Sequence, residues 1–279
     1  MSKQAMTPER VGKEYNAGIS FNSGIDLYDC VETNENFFIG KQWEGVQSNG
    51  LPTPVFNFLK RVVLFSVANI STDNLKLWAR AMSSSGKRNT QTLELVADIL
   101  NDQFASIFEH NSIGGRIREY TRNAAVDGDG CMYTYWDDTA ETGQASKGAI
   151  RTEVLMNTQV LFGNPNNRDV QSQPYIILER RMLLSEARKR AKRYGKDPDE
   201  IQPDNKDCGN NYMDSMSGSG NKVTVLLRLW KDDETGTIHA YECTRQAEIR
   251  GDLDLGIKLY PLTWMNWDYV QDCYHGQAM

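Results

Sequence analysis

The chain has 279 residues, with 37 acidic against 31 basic side chains and a formal net charge of −6. Hydrophobic residues make up 39% and charged residues 24%, the balance of a soluble globular protein, and no run approaches the roughly 20 apolar residues of a membrane-spanning helix. A chain of this mass should expose about 12,000 Å² when folded against about 46,000 Å² when extended, which would bury close to three quarters of it in one large or two small domains.

The opening MSKQAMTPER lacks the apolar run of a secretory signal, which reads as a chain made and kept in a reducing cytosol. Thr7-Pro8-Glu9 has the makings of a helix start: a capping oxygen, a proline where its missing N–H costs nothing, and a carboxylate in the first turn. A helix is expected from there to about Glu32, weakened by Gly12, Gly18 and Gly24. Asn34 to Trp43 places aromatics around Gly40, and Ser48-Asn49-Gly50 with Pro52 and Pro54 marks a loop. Val55 to Ile70 is apolar on nearly every face and reads as a buried helix. Asn74 to Met82 alternates with the period of a strand. Leu93, Val96, Ala97, Leu100, Phe104, Ile107 and Phe108 form the best helical stripe in the chain, and Ser112 is the expected N-cap of the next helix. That helix stops at Asp127-Gly128-Asp129-Gly130.

Beyond this turn come short stretches rich in β-formers, Cys131 to Trp136, Ile150 to Leu155 and Tyr175 to Arg180. A helix from Leu183 to Tyr194 interrupts them, with Leu184, Ala187, Ala191 and Tyr194 inward. Residues 196–221 carry no periodicity and read as a flexible loop. Val223 to Trp230 and Thr237 to Cys243 read as a hairpin. Helices followed by a sheet define an α+β fold, N-terminal helices packed against a mainly antiparallel sheet. The last twenty residues hold Tyr260, Trp264, Trp267, Tyr269 and Tyr274 and read as an aromatic segment beginning a helix, so that the chain is expected to be a fragment.

Cys30, Cys131, Cys208, Cys243 and Cys273 are an odd number without a Cys-x-x-Cys pair, and His110, His239 and His275 have no ligand spacing, so neither a disulfide framework nor a metal or other cofactor is expected. Asp127-Gly-Asp129-Gly resembles the start of a calcium loop, but Met132-Tyr133 breaks the next ligand position, and a tight turn from helix to strand is the simpler reading. Ile113-Gly114-Gly115-Arg116 could cradle a phosphate at a helix N-terminus, although close helix packing explains the glycines as well. Arg180, Arg181, Arg188, Lys189, Arg190, Lys192, Arg193 and Lys196 form the only basic run. It reads either as a DNA contact or as a salt-bridged helix or subunit face, with Asp197, Asp199 and Glu200 placed to neutralise it. No nucleophile motif is present and no carboxylate pair stands out, so nothing points to an enzyme.

Five segments in order carry a resemblance to portal proteins of tailed bacteriophages, of the siphophage kind. They are Asn36-Phe37-Phe38-Ile39-Gly40-Lys41-Gln42-Trp43, Pro54-Val55-Phe56-Asn57, Asp127-Gly128-Asp129-Gly130 leading into Tyr133-Thr134-Tyr135-Trp136-Asp137, Gln171-Ser172-Gln173-Pro174-Tyr175-Ile176-Ile177, and Tyr260-Pro261-Leu262-Thr263-Trp264-Met265-Asn266-Trp267. The resemblance implies a non-catalytic subunit of a ring, typically dodecameric, at one vertex of the virion. Double-stranded DNA would pass through that ring without sequence recognition. The implied partners are copies of itself, the terminase, the major capsid or scaffold protein and the head-tail connector, with no membrane. It places residues 1–279 in the wing, ending before the stem, with assembly in the host cytoplasm. Candidate DNA or subunit contacts are then Arg188, Lys189, Arg190, Lys192 and Arg193, and candidate subunit or stem-packing contacts are Trp264, Trp267, Tyr269 and Tyr274. A net negative chain with one basic run suits a conduit better than a clamp, because a basic lining would hold DNA more tightly with each phosphate it neutralised. The competing reading is a soluble nucleic-acid-binding accessory protein using residues 180–196. A third is an enzyme whose site forms only in three dimensions around Asp127 and Asp129.

Overall fold

The computed structural model describes residues 6–71, 76–81, 90–141, 143, 147–204 and 221–279. Thr7 caps the first helix, α1 (Pro8–Gly24), its hydroxyl accepting from the Arg10 N–H at 3.3 Å. The single helix expected to Glu32 is two. The chain turns at Ile25 and at Asp26, whose φ of 54° is left-handed, before α2 (Leu27–Ile39), so the break falls just past Gly24. Gly40 closes α2 at φ 91°.

Asn57 caps α3 (Phe58–Ile70) by accepting from the Lys60 N–H at 3.0 Å. The expectation that this helix is buried is corrected: only Val63 and Val67 are covered, and Phe65 is 69% exposed. The expected strand over Asn74 to Met82 is corrected where it can be seen, since residues 76–81 hold no strand; its remaining residues lie outside the described ones. The Asn101 side chain instead takes both sides of the Ala79 backbone, accepting from its N–H at 2.7 Å and donating to its carbonyl at 3.2 Å. Asn101 belongs to α4 (Thr90–His110), and α5 (Ile113–Asp127) follows as expected. Ser112 marks that boundary by its left-handed φ of 49° and not by a side-chain cap. Gly114 and Gly115 face open space, so close helix packing does not account for them.

The strands are β1 (Asp129–Asp137), β2 (Ala149–Leu155), β3 (Val160–Phe162), β4 (Tyr175–Leu183), β5 (Lys222–Lys231), β6 (Ile238–Cys243), β7 (Glu248–Asp254), β8 (Leu262–Asn266), β9 (Asp268–Tyr269) and β10 (Gly276–Gln277), with α6 (Leu184–Arg193) following β4. Every pairing among the described residues is antiparallel, in a three-stranded sheet β2-β1-β8, a five-stranded sheet β3-β4-β5-β6-β7 and the short pair β9-β10. The architecture is therefore α+β, as its order of elements implies.

Period-two alternation decides the layers. Ile176, Leu178, Leu227 and Leu229 point from the five-stranded sheet toward Cys131, Tyr133 and Leu262 of the three-stranded one. Their neighbours Ile177 and Leu226, with Tyr241, point the other way onto Val11 and Tyr15 of α1. The α1 layer also supplies partners for the charged groups that this alternation buries: Glu14 accepts from the Arg228 Nε at 2.6 Å, and the Tyr15 hydroxyl donates to Glu179 at 2.7 Å. Ala187 and Ala191 of α6 cover Val223, Val225 and Ile249 at one end, joined by Ile201. The flexible loop expected over 196–221 is corrected at its start, because Ile201 is fully buried after a 3₁₀ turn at Pro198–Glu200; residues 205–220 lie outside the described ones.

The aromatic C-terminal segment does not begin a helix. It alternates Tyr260 and Leu262 into the core between the sheets and continues as β8, β9 and β10. No helix among the described residues is long and apolar enough to cross a membrane.

Candidate functional site

The turn from α5 into β1 requires Gly128. Its φ is 93°, and a β-carbon there would lie 2.6 Å from the Gly276 carbonyl oxygen, so an unbranched backbone lets the C-terminal segment pass this close. Asp129, the first residue of β1, is fully buried and receives bonds from four directions. The His275 Nδ1 lies 2.7 Å from one oxygen and the Asn157 amide donates to it at 3.3 Å; the other oxygen accepts from the Asn266 amide and the Gly276 N–H, both at 2.7 Å. The reading of Asp-Gly-Asp-Gly as a helix-to-strand turn agrees with this, and the carboxylate serves to anchor the chain.

Asp129 and His275 resemble the base and orienting acid of a hydrolase. The arrangement goes no further, because the second ring nitrogen lies 3.2 Å from the Asn22 amide oxygen and both side chains are sealed from solvent. Asp127, the preceding carboxylate, has one oxygen 3.9 Å from Arg122 and the other without a hydrogen-bond partner. Burial, followed by repulsion from the Glu35 carboxylate, outweighs the attraction of Arg122 and pushes its pKa up to about 7. Arg122 is itself committed to Glu35 and rests 4.7 Å from the Phe38 ring centroid. Sequence reasoning singled out Asp127 and Asp129 but missed Asn22, Asn157, Asn266 and His275. Asn22 and His275 stand 253 positions apart, and no local spacing connects them.

The five segments that carry the resemblance fall into two hydrogen-bonded groups, the first two joined to each other and the last three to one another, with apolar packing between the groups. The Trp43 indole and Gln42 amide donate to the Pro54 carbonyl, and the Asn57 amide to the Phe38 carbonyl at 2.8 Å. Phe38 and Trp267 pack on the small cluster of Val63, Val67, Ala125 and Val126. The Trp267 N–H donates to Gly128 and the Thr134 N–H to Pro261. Gln171 brackets Tyr260, donating to its carbonyl at 3.1 Å and accepting from its N–H at 2.9 Å, while the Tyr260 hydroxyl donates to the Gln173 carbonyl. Burial pushes that phenol up to about 12. Polar side chains here are spent on backbone groups, which fixes the path of the loops.

The basic run divides once folded. Arg180 bonds Glu153 and Arg181 bonds Asp204, from β4. On α6, Arg188 donates to the Ile201 carbonyl at 2.9 Å, and Arg190 lies 3.1 Å from the buried Glu242. Arg193 lies 3.8 Å from Asp138, and Lys196 reaches Glu248 at 2.5 Å. Lys189 and Lys192 are exposed and have no ion pair among the described residues. Arg188 and Arg190 are thus structural contacts within the chain, and the sequence could not reveal partners supplied by β6 and by the segment after α6.

The aromatic candidates divide in the same way. Tyr274 is 1% exposed, stacked on Phe162 at 4.5 Å between centroids, and Trp264 is half-buried and donates from its indole to the Tyr274 carbonyl. As an outward stem contact Tyr274 is therefore corrected, because it belongs to the core between the sheets. Trp267 is half-buried, while Tyr269 is 65% exposed under the Arg168 guanidinium. With Asp169 and Asn266 they edge an open cleft of about 440 Å³.

No protein-family model matches the chain, and no curated protein matches it.

Proposed function

We propose that this chain is a structural subunit of the portal ring of a tailed bacteriophage, residing in the virion at the capsid vertex. The observation that carries the reading is that the five resemblance-bearing segments, scattered over residues 36–267, are held by hydrogen bonds that set loop paths, the first two to each other and the last three to one another, with Phe38 and Trp267 packed on one small apolar cluster between them. A scaffold is defined by shape, and polar side chains committed to backbone groups serve shape. In this reading the chain lends its surface to neighbouring copies, to the capsid shell, to the terminase and to the head-tail connector, while the terminase ATPase performs the work of moving DNA. The net charge of −6 favours a channel that does not retain its cargo.

Electron microscopy of the purified protein, alone and with terminase and capsid protein, tests this. Rings with a central hole are expected. A protein that stays monomeric and ignores both partners overturns the proposal.

A further inference from the structure

Among the described residues two separate helix faces lack a covering layer, and they differ in charge. On α3, Leu59, Val62 and Phe65 stand in solvent beside Lys60 and Arg61. On α4, Leu95, Ile99 and Leu100 stand in solvent beside Glu94, Asp98 and Asp102. None of these five charges has an ion pair among the described residues. An amphipathic helix is stabilised in a protein chiefly by what covers its apolar face, and α4 has only Ala97 buried within its apolar stripe.

We infer that the α3 face of one copy is the docking site for the α4 face of another, apolar side chains meeting at the centre and Lys60 and Arg61 opposing Glu94, Asp98 and Asp102 at the rim. The occupant is a second copy of this chain because the two faces match each other in apolar extent and oppose each other in charge. Contacts between unlike faces are also the kind that propagate around a ring. The inference rests on the reading of the chain as an assembly subunit and names the surface that reading leaves open.

The experiment is light-scattering mass measurement over a concentration series, at about 50 mM and about 500 mM salt, where screening of exposed charges differs strongly. Three proteins are compared: the wild type, the Lys60→Glu/Arg61→Glu variant, and the Glu94→Lys/Asp98→Lys/Asp102→Lys variant. All five positions are exposed, and near-ultraviolet circular dichroism checks that the fold is kept. The wild type should associate, more weakly at high salt. Each variant alone should lose association by at least tenfold, and an equimolar mixture of the two, whose charges are again opposite, should recover it. Wild-type association that survives both charge reversals overturns the α3–α4 contact but leaves a ring built through other faces standing. A wild type that is monomeric throughout, at concentrations where a weak interface would register, also overturns it. A mixture that fails to recover association after both variants have lost it does the same.

Discussion

Asp129 is the residue on which the C-terminal segment depends. Replacing Asp129 with alanine would leave the His275 Nδ1 and the Gly276 N–H without their acceptor and the Asn266 amide with the Tyr274 carbonyl alone, and breaking a buried network of this kind costs about 3–5 kcal/mol. Urea unfolding of Asp129→Ala and His275→Ala, singly and together, should give a double-mutant loss well below the sum of the two, because each variant breaks the same bond. Additive losses would mean that the pair is not coupled. Asp127 presents the opposite case. Between the ordinary carboxyl value near 3.8 and its raised value of about 7, the folded chain holds a proton that the unfolded chain has released. Stability from this group is thus fully present at low pH, falls as pH rises through that window, and is level above it. Asp127→Asn should flatten this part of the stability profile and raise stability at pH 8 by roughly 2–4 kcal/mol, read as a shift in urea midpoint at pH 5 and pH 8.

Among the elements, the turn between α5 and β1 tolerates least. Gly128→Ala places a methyl group where the Gly276 carbonyl already sits and forces an L-residue into φ 93°. It should cost about 2–4 kcal/mol and detach β10 first, seen as faster amide exchange at Gly276 than in the five-stranded sheet. On α6, Lys189→Ala/Lys192→Ala should leave the melting temperature within about 2 °C of wild type, since neither lysine has an ion pair among the described residues, whereas Arg190→Ala leaves the buried Glu242 with only Arg250, 4.0 Å away, and should lower it. The periodic elements were legible in the sequence: α4, α5, β1, β2, β4, α6 and the β5–β6 hairpin all lie where apolar spacing places them. Spacing could not tell whether an apolar element is covered. Val55 to Ile70 looks buried because it is apolar, yet its covering layer is a property of the rest of the structure. The buried cluster was illegible for a similar reason, since Asn22, Asn157 and His275 acquire meaning only when chain ends far apart in sequence meet. Tyr274 was misassigned because an aromatic residue near the end of a chain looks the same in sequence whether it faces solvent or the core.

At the scale of the whole molecule, the most informative quantity is how much surface remains wet. Among the described residues Phe58, Phe65 and Leu95 on α3 and α4 are 66%, 69% and 60% exposed, apolar surface that a compact protein ordinarily covers. The isolated chain should therefore bind a hydrophobic dye more strongly than a compact protein of its size, and the signal should fall when it associates.

The middle strand of the smaller sheet also sets a timetable. β1 carries Asp129, and its partner strand β8 carries Asn266, 137 positions later. At about 5–20 residues per second, a ribosome needs on the order of ten seconds to deliver that second edge. During this interval a strand with unfilled backbone donors and acceptors is open to any neighbouring nascent chain, so yield during overexpression should be limited by translation speed and by chaperones that shield such edges.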